Sequence, residues 1–193
     1  EEVGNRLQWK SRIRLAVRID GEFGVGMRVT EFEKYPRQGK LAKLPNDSLV
    51  YEMGRQIAED MHSLKIDINF APVVDVNVHP ETGSMKDRSF GPDKHLVAEY
   101  GSAFMRGMQD NGVIACAKHF PGHGDTATDS HHALPVLDFP MERLDTLELY
   151  PFRRLMDDGV EMVMVGHLQV PALDSLPASV SYNVITGLLH KRL

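Results

Sequence analysis

Four short apolar runs, with amphipathic segments between them, constrain the fold of this sequence more than any other feature. The runs cover residues 13–20, 67–76, 113–120 and 160–168. Each is nearly continuous in its apolar character and rich in β-branched residues, which is typical of parallel strands buried on both faces. The sequence therefore predicts a parallel sheet.

Helical signals fill the segments between these runs. Apolar residues in 47–65 recur at spacings of 4, 4, 4 and 3, which places them on one helical face. Capping and turn residues bound three more helices: one between Pro92-Asp93 and Asn111-Gly112, one over 141–158 that Pro151 kinks or divides and Gly159 ends, and one that follows Ser181. Strands that alternate with helices predict an α/β architecture.

Polar side chains lie at the carboxyl ends of the predicted strands. Asp20, Asp75, Lys118, His119 and His167 all occupy such positions. Active sites of (β/α)8 barrels assemble at this edge, whereas a doubly wound sheet usually carries a G-x-G-x-x-G turn, which the glycines after Asp20 do not form. Four strands cannot close an eight-stranded barrel, so either the sheet is a smaller one or the chain is a fragment that forms a partial (β/α)8 TIM barrel.

Composition excludes several classes of function. The 22 basic and 27 acidic side chains give a formal net charge of −5, without the basic cluster that nucleic-acid binding requires. No apolar run approaches the roughly 18 residues of a membrane-spanning helix. The single cysteine, Cys116, excludes an internal disulfide and a cysteine-rich metal site.

Residues 118–135, KHFPGHGDTATDSHHALP, concentrate four histidines and two aspartates in a loop after a buried strand. One interpretation is a set of turn-forming and surface residues. Another is a metal site, although the proline and glycines here prevent a regular helix with histidines at i and i+4. The candidate metal ligands would be His119, His123, Asp125, Asp129 and His131.

A third interpretation is an acid–base dyad. Asp129 and His131 are separated by one residue, so in an extended segment their side chains leave the same face. The carboxylate would then accept a hydrogen bond from one imidazole nitrogen and leave the other nitrogen to exchange a proton.

The stretch KHFPGHGDTATDSH, followed by ALPV, closely resembles the signature of family 3 glycoside hydrolases, in the β-N-acetylglucosaminidase branch related to cell-wall recycling enzymes. The resemblance covers nearly the whole chain. It includes IDGEFGVGMR, YEMGRQIAEDMHSLKIDINFAPVVDVN, RSFG, VMVGHLQVPALD and SYNVITGLL, which are similar to the family's second strand through the helix that precedes its sixth.

The resemblance implies a role for each matching residue. His131 matches the general acid/base and Asp129 its orienting partner, in a retaining mechanism without metal or organic cofactor. The matching substrate-binding residues are Asp20, Arg28, Arg88, Lys118 and His119. The implied substrate carries terminal β-linked N-acetylglucosamine, with muropeptide-derived glycans as a candidate class. Relatives of this kind occur in the bacterial cytoplasm and in exported forms.

The family's nucleophile, an aspartate at the end of the sixth strand, matches no residue here, since no aspartate follows Asp174. We therefore expect residues 1–193 to be an internal fragment, an incomplete N-terminal catalytic barrel domain with strands two to five and the following helix. Two alternatives stay open: a non-catalytic glycan-binding remnant of the same fold, and a metal-dependent barrel hydrolase.

Overall fold

A computed structural model describes residues 2–79, 85–126 and 134–193 and contains a parallel sheet of four strands. The strands lie side by side in chain order, and each is paired in parallel with the next. They are β1 (Arg18–Ile19), β2 (Ile68–Asn69), β3 (Ile114–Phe120) and β4 (Met162–Val165). The predicted α/β fold with a parallel sheet is confirmed.

The first two strands are shorter than predicted. The run 67–76 keeps regular ladder geometry only in β2, because Pro72 has no N–H to donate. Its backbone still follows β3: the Cys116 N–H donates to the Ala71 carbonyl at 2.8 Å, and the Val74 N–H donates to the Lys118 carbonyl at 2.8 Å. The chain therefore reaches the carboxyl edge of the sheet as an irregular extended segment.

Six α-helices and a C-terminal π-helix accompany the strands in the described parts of the chain. The predicted helix over 141–158 is divided in two, and Pro151 lies in the first turn of the second half, where its missing N–H costs little. None of these helices is long and apolar enough to cross a bilayer. They are α1 (Glu2–Lys10), α2 (Gln38–Leu41), α3 (Ser48–Ser63), α4 (Lys94–Gln109), α5 (Met141–Thr146), α6 (Tyr150–Asp157) and the π-helix Asn183–His190.

Helices α3 and α4 pack closely because a glycine lies at their contact. A Cβ atom on Gly107 would lie 2.2 Å from the Tyr51 carbonyl oxygen, so no larger residue fits there. Met53, Ile57 and Met61 of α3 are buried as the helical spacing predicts. Leu49, which the same spacing places on the apolar face, is exposed, because its neighbour Val50 takes the buried position at the start of the helix.

Two buried amides fix the segments that follow the first two strands. The Asn69 side chain accepts from the Gly21 N–H at 3.0 Å and donates to the Gly21 carbonyl at 3.1 Å. The Gln38 side chain makes the same pair of bonds to the backbone of Val73, at 3.2 and 2.8 Å. These amides hold both segments against the carboxyl edge of the sheet, where the predicted site residues lie.

Candidate active site

A cavity of about 300 Å³ opens at the carboxyl ends of the strands. Four of the five predicted substrate-binding residues line it, and the fifth, Arg28, contacts one of them. The polar lining consists of Asp20, Arg88, Lys118, His119, His123 and His167, and the apolar lining of Met85, Met164, Val165 and Gly166. The structure thus brings together residues that are as much as 147 positions apart between Asp20 and His167.

A larger cavity of about 580 Å³ lies at the opposite edge of the sheet, beside Val17 and Asp67, which precede β1 and β2. It contains none of the predicted substrate-binding residues. Ligand sites of parallel α/β sheets form at the carboxyl ends of the strands, so the smaller cavity is the candidate active site.

Three charged residues of the lining, Asp20, Arg88 and Lys118, form a network with Glu22. We call these four side chains the cavity network. The Lys118 side chain is 2% exposed, and its Nζ donates to Asp20 Oδ1 at 2.7 Å and lies 2.8 Å from Glu22 Oε1. Arg88 donates to both oxygens of Glu22, through Nε at 2.9 Å and Nη2 at 2.6 Å. The buried Lys118 and the partly buried Arg88 are therefore paired with carboxylates, which offsets the cost of their desolvation.

Glu22 is the residue of this network that the sequence analysis missed. Burial alone would raise its pKa, but the hydrogen bonds from Arg88 and the charge of Lys118 outweigh burial and lower the pKa to about 2. Glu22 is therefore ionised at neutral pH and holds both cations in place. Its only signal in the sequence is the i, i+2 spacing from Asp20, which puts two carboxylates after one strand.

Asp20 is the open member of the network. Its side chain is 41% exposed, against 6% for Glu22. Arg28 lies beside it, with Nε donating to the Asp20 carbonyl at 3.3 Å and Nη2 at 3.5 Å from Oδ2. Asp20 thus presents a carboxylate to the cavity with a cation on either side.

A second buried carboxylate, Asp75, orients two histidines. Its Oδ2 lies 2.7 Å from His119 Nδ1, and its Oδ1 accepts from the backbone N–H groups of His119 at 3.2 Å and His123 at 2.7 Å. Burial opposes ionisation of Asp75, yet the charge and hydrogen bond of His119 outweigh it and lower the pKa. Because an ionised carboxylate only accepts, His119 donates through Nδ1, and its Nε2 is the ring nitrogen available to a ligand.

An irregularity in β3 lets Lys118 and His119 share the cavity. Adjacent residues of a regular strand point to opposite faces. Here Lys118 pairs with Met164 and Phe120 with Val165, so that His119 is an extra residue in β3. Such a bulge redirects a side chain, and it turns the side chains of Lys118 and His119 toward the same ligand space.

The predicted catalytic residues Asp129 and His131 lie outside the described residues and stay predictions. Of the other residues weighed as metal ligands, His119 binds Asp75, His123 contacts the Thr126 hydroxyl, and Asp125 binds Arg143 at 2.6 Å. Within residues 2–79, 85–126 and 134–193, no three His, Cys, Asp or Glu side chains form a group that would hold a metal ion.

Comparisons with known proteins find similar chains among β-hexosaminidases and β-N-acetylglucosaminidases. The β-hexosaminidase LpqI of Mycobacterium tuberculosis is 40% identical over 173 residues, which cover 86% of this chain and 44% of that protein. A glycoside hydrolase family 3 β-N-acetylglucosaminidase from Paenibacillus sp. str. FPU-7 matches with a TM-score of 0.86 and 41% identity, over 97% of this chain and 36% of that chain. NagZ from Neisseria gonorrhoeae, in complex with N-trifluoroacetyl-D-glucosamine, matches with a TM-score of 0.89 and 26% identity, over 98% of this chain and 58% of that chain.

The chain spans 34%, 44% and 53% of the length of three curated β-hexosaminidases that it matches. The family described as the glycosyl hydrolase family 3 N-terminal domain matches residues 4–193. The resemblance carried by KHFPGHGDTATDSH is thereby confirmed, and the chain belongs to this family of glycosyl hydrolase family 3 N-terminal domains.

Proposed function

We propose that the protein to which this chain belongs is a retaining β-N-acetylhexosaminidase that releases terminal β-linked N-acetylglucosamine, including from muropeptide-derived glycans. The observation that carries the proposal is the convergence of Asp20, Arg88, Lys118 and His119 on one cavity at the carboxyl ends of parallel strands. The names of the related β-hexosaminidases support the same substrate class.

The chemistry of the cavity suits a neutral sugar. Sugar hydroxyls both donate and accept, and the Asp20 carboxylate accepts from them. The cations of Lys118 and Arg88 donate hydrogen bonds that are stronger than neutral ones, and Nε2 of His119 offers a further hydrogen-bonding position. Since Glu22 already compensates much of the positive charge, an uncharged ligand leaves no buried charge unpaired.

The acid/base step is assigned to His131, with Asp129 as its orienting partner. In this proposal His131 protonates the leaving oxygen during glycosylation and takes a proton from water during deglycosylation. The nucleophile that forms the glycosyl intermediate is assigned to an aspartate outside residues 1–193. The four strands in chain order would then be strands two to five of a (β/α)8 barrel, in which this chain is an incomplete catalytic domain.

The test uses the full product of the gene with a chromogenic β-N-acetylglucosaminide. The His131→Ala variant is expected to lose about 10²- to 10⁴-fold in kcat, the usual contribution of a general acid. The matched control is His190→Ala, which changes an exposed histidine at the end of the π-helix and is expected to keep wild-type activity.

Two outcomes would contradict the proposal. Sugar binding without turnover by the wild-type protein would support the glycan-binding alternative. Loss of activity to a chelator, with recovery on adding zinc, would support the metal-dependent hydrolase instead.

A further inference from the structure

A second group of charged side chains lies beside the loop that leads to residues 127–133, which carry the proposed dyad. Its member in the loop is Asp125. Asp125 has a side chain only 7% exposed, and its Oδ2 accepts from Arg143 Nη2 at 2.6 Å. Its Oδ1 lies 3.1 Å from His79 Nε2. The chain is therefore held at Asp125 from two separate elements immediately before the proposed catalytic residues.

Arg143, on α5, also binds a second carboxylate. Its Nη2 lies 3.2 Å from Oε1 of Glu148, a side chain that is 1% exposed. The guanidinium carbon lies 4.3 Å from the centre of the Phe139 ring, which stacks beneath it. Among the described residues, Arg143 Nε and Glu148 Oε2 are buried without a hydrogen-bond partner. We call Asp125, Arg143 and Glu148 the Arg143 cluster.

This open geometry indicates what the arginine is placed to do. If Arg143 donated to both carboxylate oxygens of Glu148, through Nε and Nη2, both unpartnered atoms would be hydrogen-bonded. Arg88 and Glu22 are joined in this way. Instead, the shorter contact of Arg143 is the one to Asp125. The guanidinium thus lies closer to Asp125, in the loop, than to the buried Glu148.

The loop backbone is itself fitted against Glu148. Gly122 has a φ of +132°, and a Cβ atom there would lie 2.8 Å from Glu148 Cβ. On the far side of residues 127–133, Gln169 fixes the chain, since its N–H donates to the Pro135 carbonyl and its carbonyl accepts from the Leu137 N–H, both at 2.8 Å. Both flanks of the proposed catalytic segment are therefore tied to the sheet and its helices.

We propose that Arg143 is a positioning residue for the acid/base segment, which it holds by linking Asp125 to the buried Glu148. This inference rests on the proposed function. A general acid works only within hydrogen-bond reach of the leaving oxygen, and a displacement of about 1 Å can cost about 100-fold in rate. Removing the Arg143 link should therefore weaken acid catalysis more than sugar binding.

The experiment compares two substrates of the full gene product, one with a good leaving group and one with a poor one. A 2,4-dinitrophenyl β-N-acetylglucosaminide needs little protonation of its leaving oxygen, whereas N,N′-diacetylchitobiose depends on it. Arg143→Gln is expected to lower kcat/KM for chitobiose about 100-fold and kcat/KM for the aryl substrate less than about 5-fold. The ratio kcat/KM reports the glycosylation step, in which the acid acts, and not the later deglycosylation step that both substrates share. Asp125→Asn, which removes the charge without changing the side-chain shape, is expected to shift the ratio in the same direction.

The matched control is Arg153→Gln, which removes a 2.7 Å ion pair to Asp145 between α6 and α5. It should leave the ratio of the two kcat/KM values at its wild-type level. Equal losses on both substrates in an active, folded Arg143→Gln or Asp125→Asn protein would show a merely structural role and overturn the assignment alone. A wild-type protein that cleaves neither substrate would overturn the proposed function and this assignment with it.

Discussion

Two pairs of a buried glutamate and a partly buried arginine lie near the candidate active site, and they differ in how many hydrogen bonds join them. In the cavity network, Arg88 donates to both oxygens of Glu22, and Lys118 adds a third contact at 2.8 Å. In the Arg143 cluster, Glu148 receives one contact from Arg143, at 3.2 Å, and its other oxygen has no partner among the described residues.

The pKa values of the two glutamates move in opposite directions for this reason. Burial raises both, but the cations around Glu22 outweigh burial and lower its pKa to about 2. For Glu148 burial prevails over the charge and hydrogen bond of Arg143, and the pKa is raised. Burial alone therefore does not decide the charge state of a carboxyl group; the number of cationic hydrogen bonds does.

The largest expected effect comes from breaking the closed pair. Glu22→Ala leaves the buried Lys118 and the partly buried Arg88 with less compensating charge, and it is expected to lower the free energy of unfolding by about 3–5 kcal/mol. Urea denaturation at neutral pH measures the loss. The control is Glu52→Ala, whose ion pair with Arg55 lies at the surface, where solvent screens it, and which is expected to have a much smaller effect. A loss below about 1 kcal/mol for Glu22→Ala would show that the closed pair stabilises no more than a surface pair.

A smaller and pH-dependent effect is expected for Glu22→Gln. The folded pKa of Glu22 is about 2 against an ordinary 4.5, so its ionisation stabilises the fold above pH 4.5, and this contribution is lost as the pH falls toward 2. At about 1.4 kcal/mol per pKa unit, the full contribution is about 3 kcal/mol. The gap in unfolding free energy between wild type and Glu22→Gln should therefore narrow as urea titrations move from pH 6 to pH 3. A gap that stays constant would mean that Arg88 and Lys118 do not stabilise the ionised form.

Sequence patterns predict the third strand better than the second. The run 113–120 corresponds closely to β3, because its first residues pair with β2 and the rest with β4. The run that contains β2 is predicted too long, since Pro72 has no N–H and the Gln38 side chain takes both backbone bonds of Val73. The bonds from Gln38 depend on contacts distant in the sequence, which apolar periodicity does not record.

The candidate site shows the same division. Strand-end position was enough to bring Asp20, Lys118 and His119 to one cavity. It was not enough to identify Glu22, because the role of Glu22 depends on Arg88, 66 positions away. The strand-end position of Asp75 did not indicate its role either, which the structure shows to be a fully buried carboxylate bound to His119. Burial and partners arise from tertiary contacts, so spacing alone does not provide them.

The smallest expected effect comes from the open pair. Because the pKa of Glu148 is raised, ionising it costs stability, and this cost grows as the pH rises from the ordinary value through the folded one. Glu148→Gln removes this cost, and Arg143 keeps its ion pair with Asp125. The free energy of unfolding at neutral pH should therefore rise, by less than about 1 kcal/mol. The difference in free energy of unfolding between Glu148→Gln and wild type should shrink as the pH falls, as for Glu22→Gln but with the opposite sign.

The control is Glu142→Gln, which makes an equal charge change at an exposed position of α5. Destabilisation of Glu148→Gln that grows with pH would mean that Arg143 stabilises the Glu148 carboxylate as Arg88 does Glu22, and the contrast between the two pairs would be wrong.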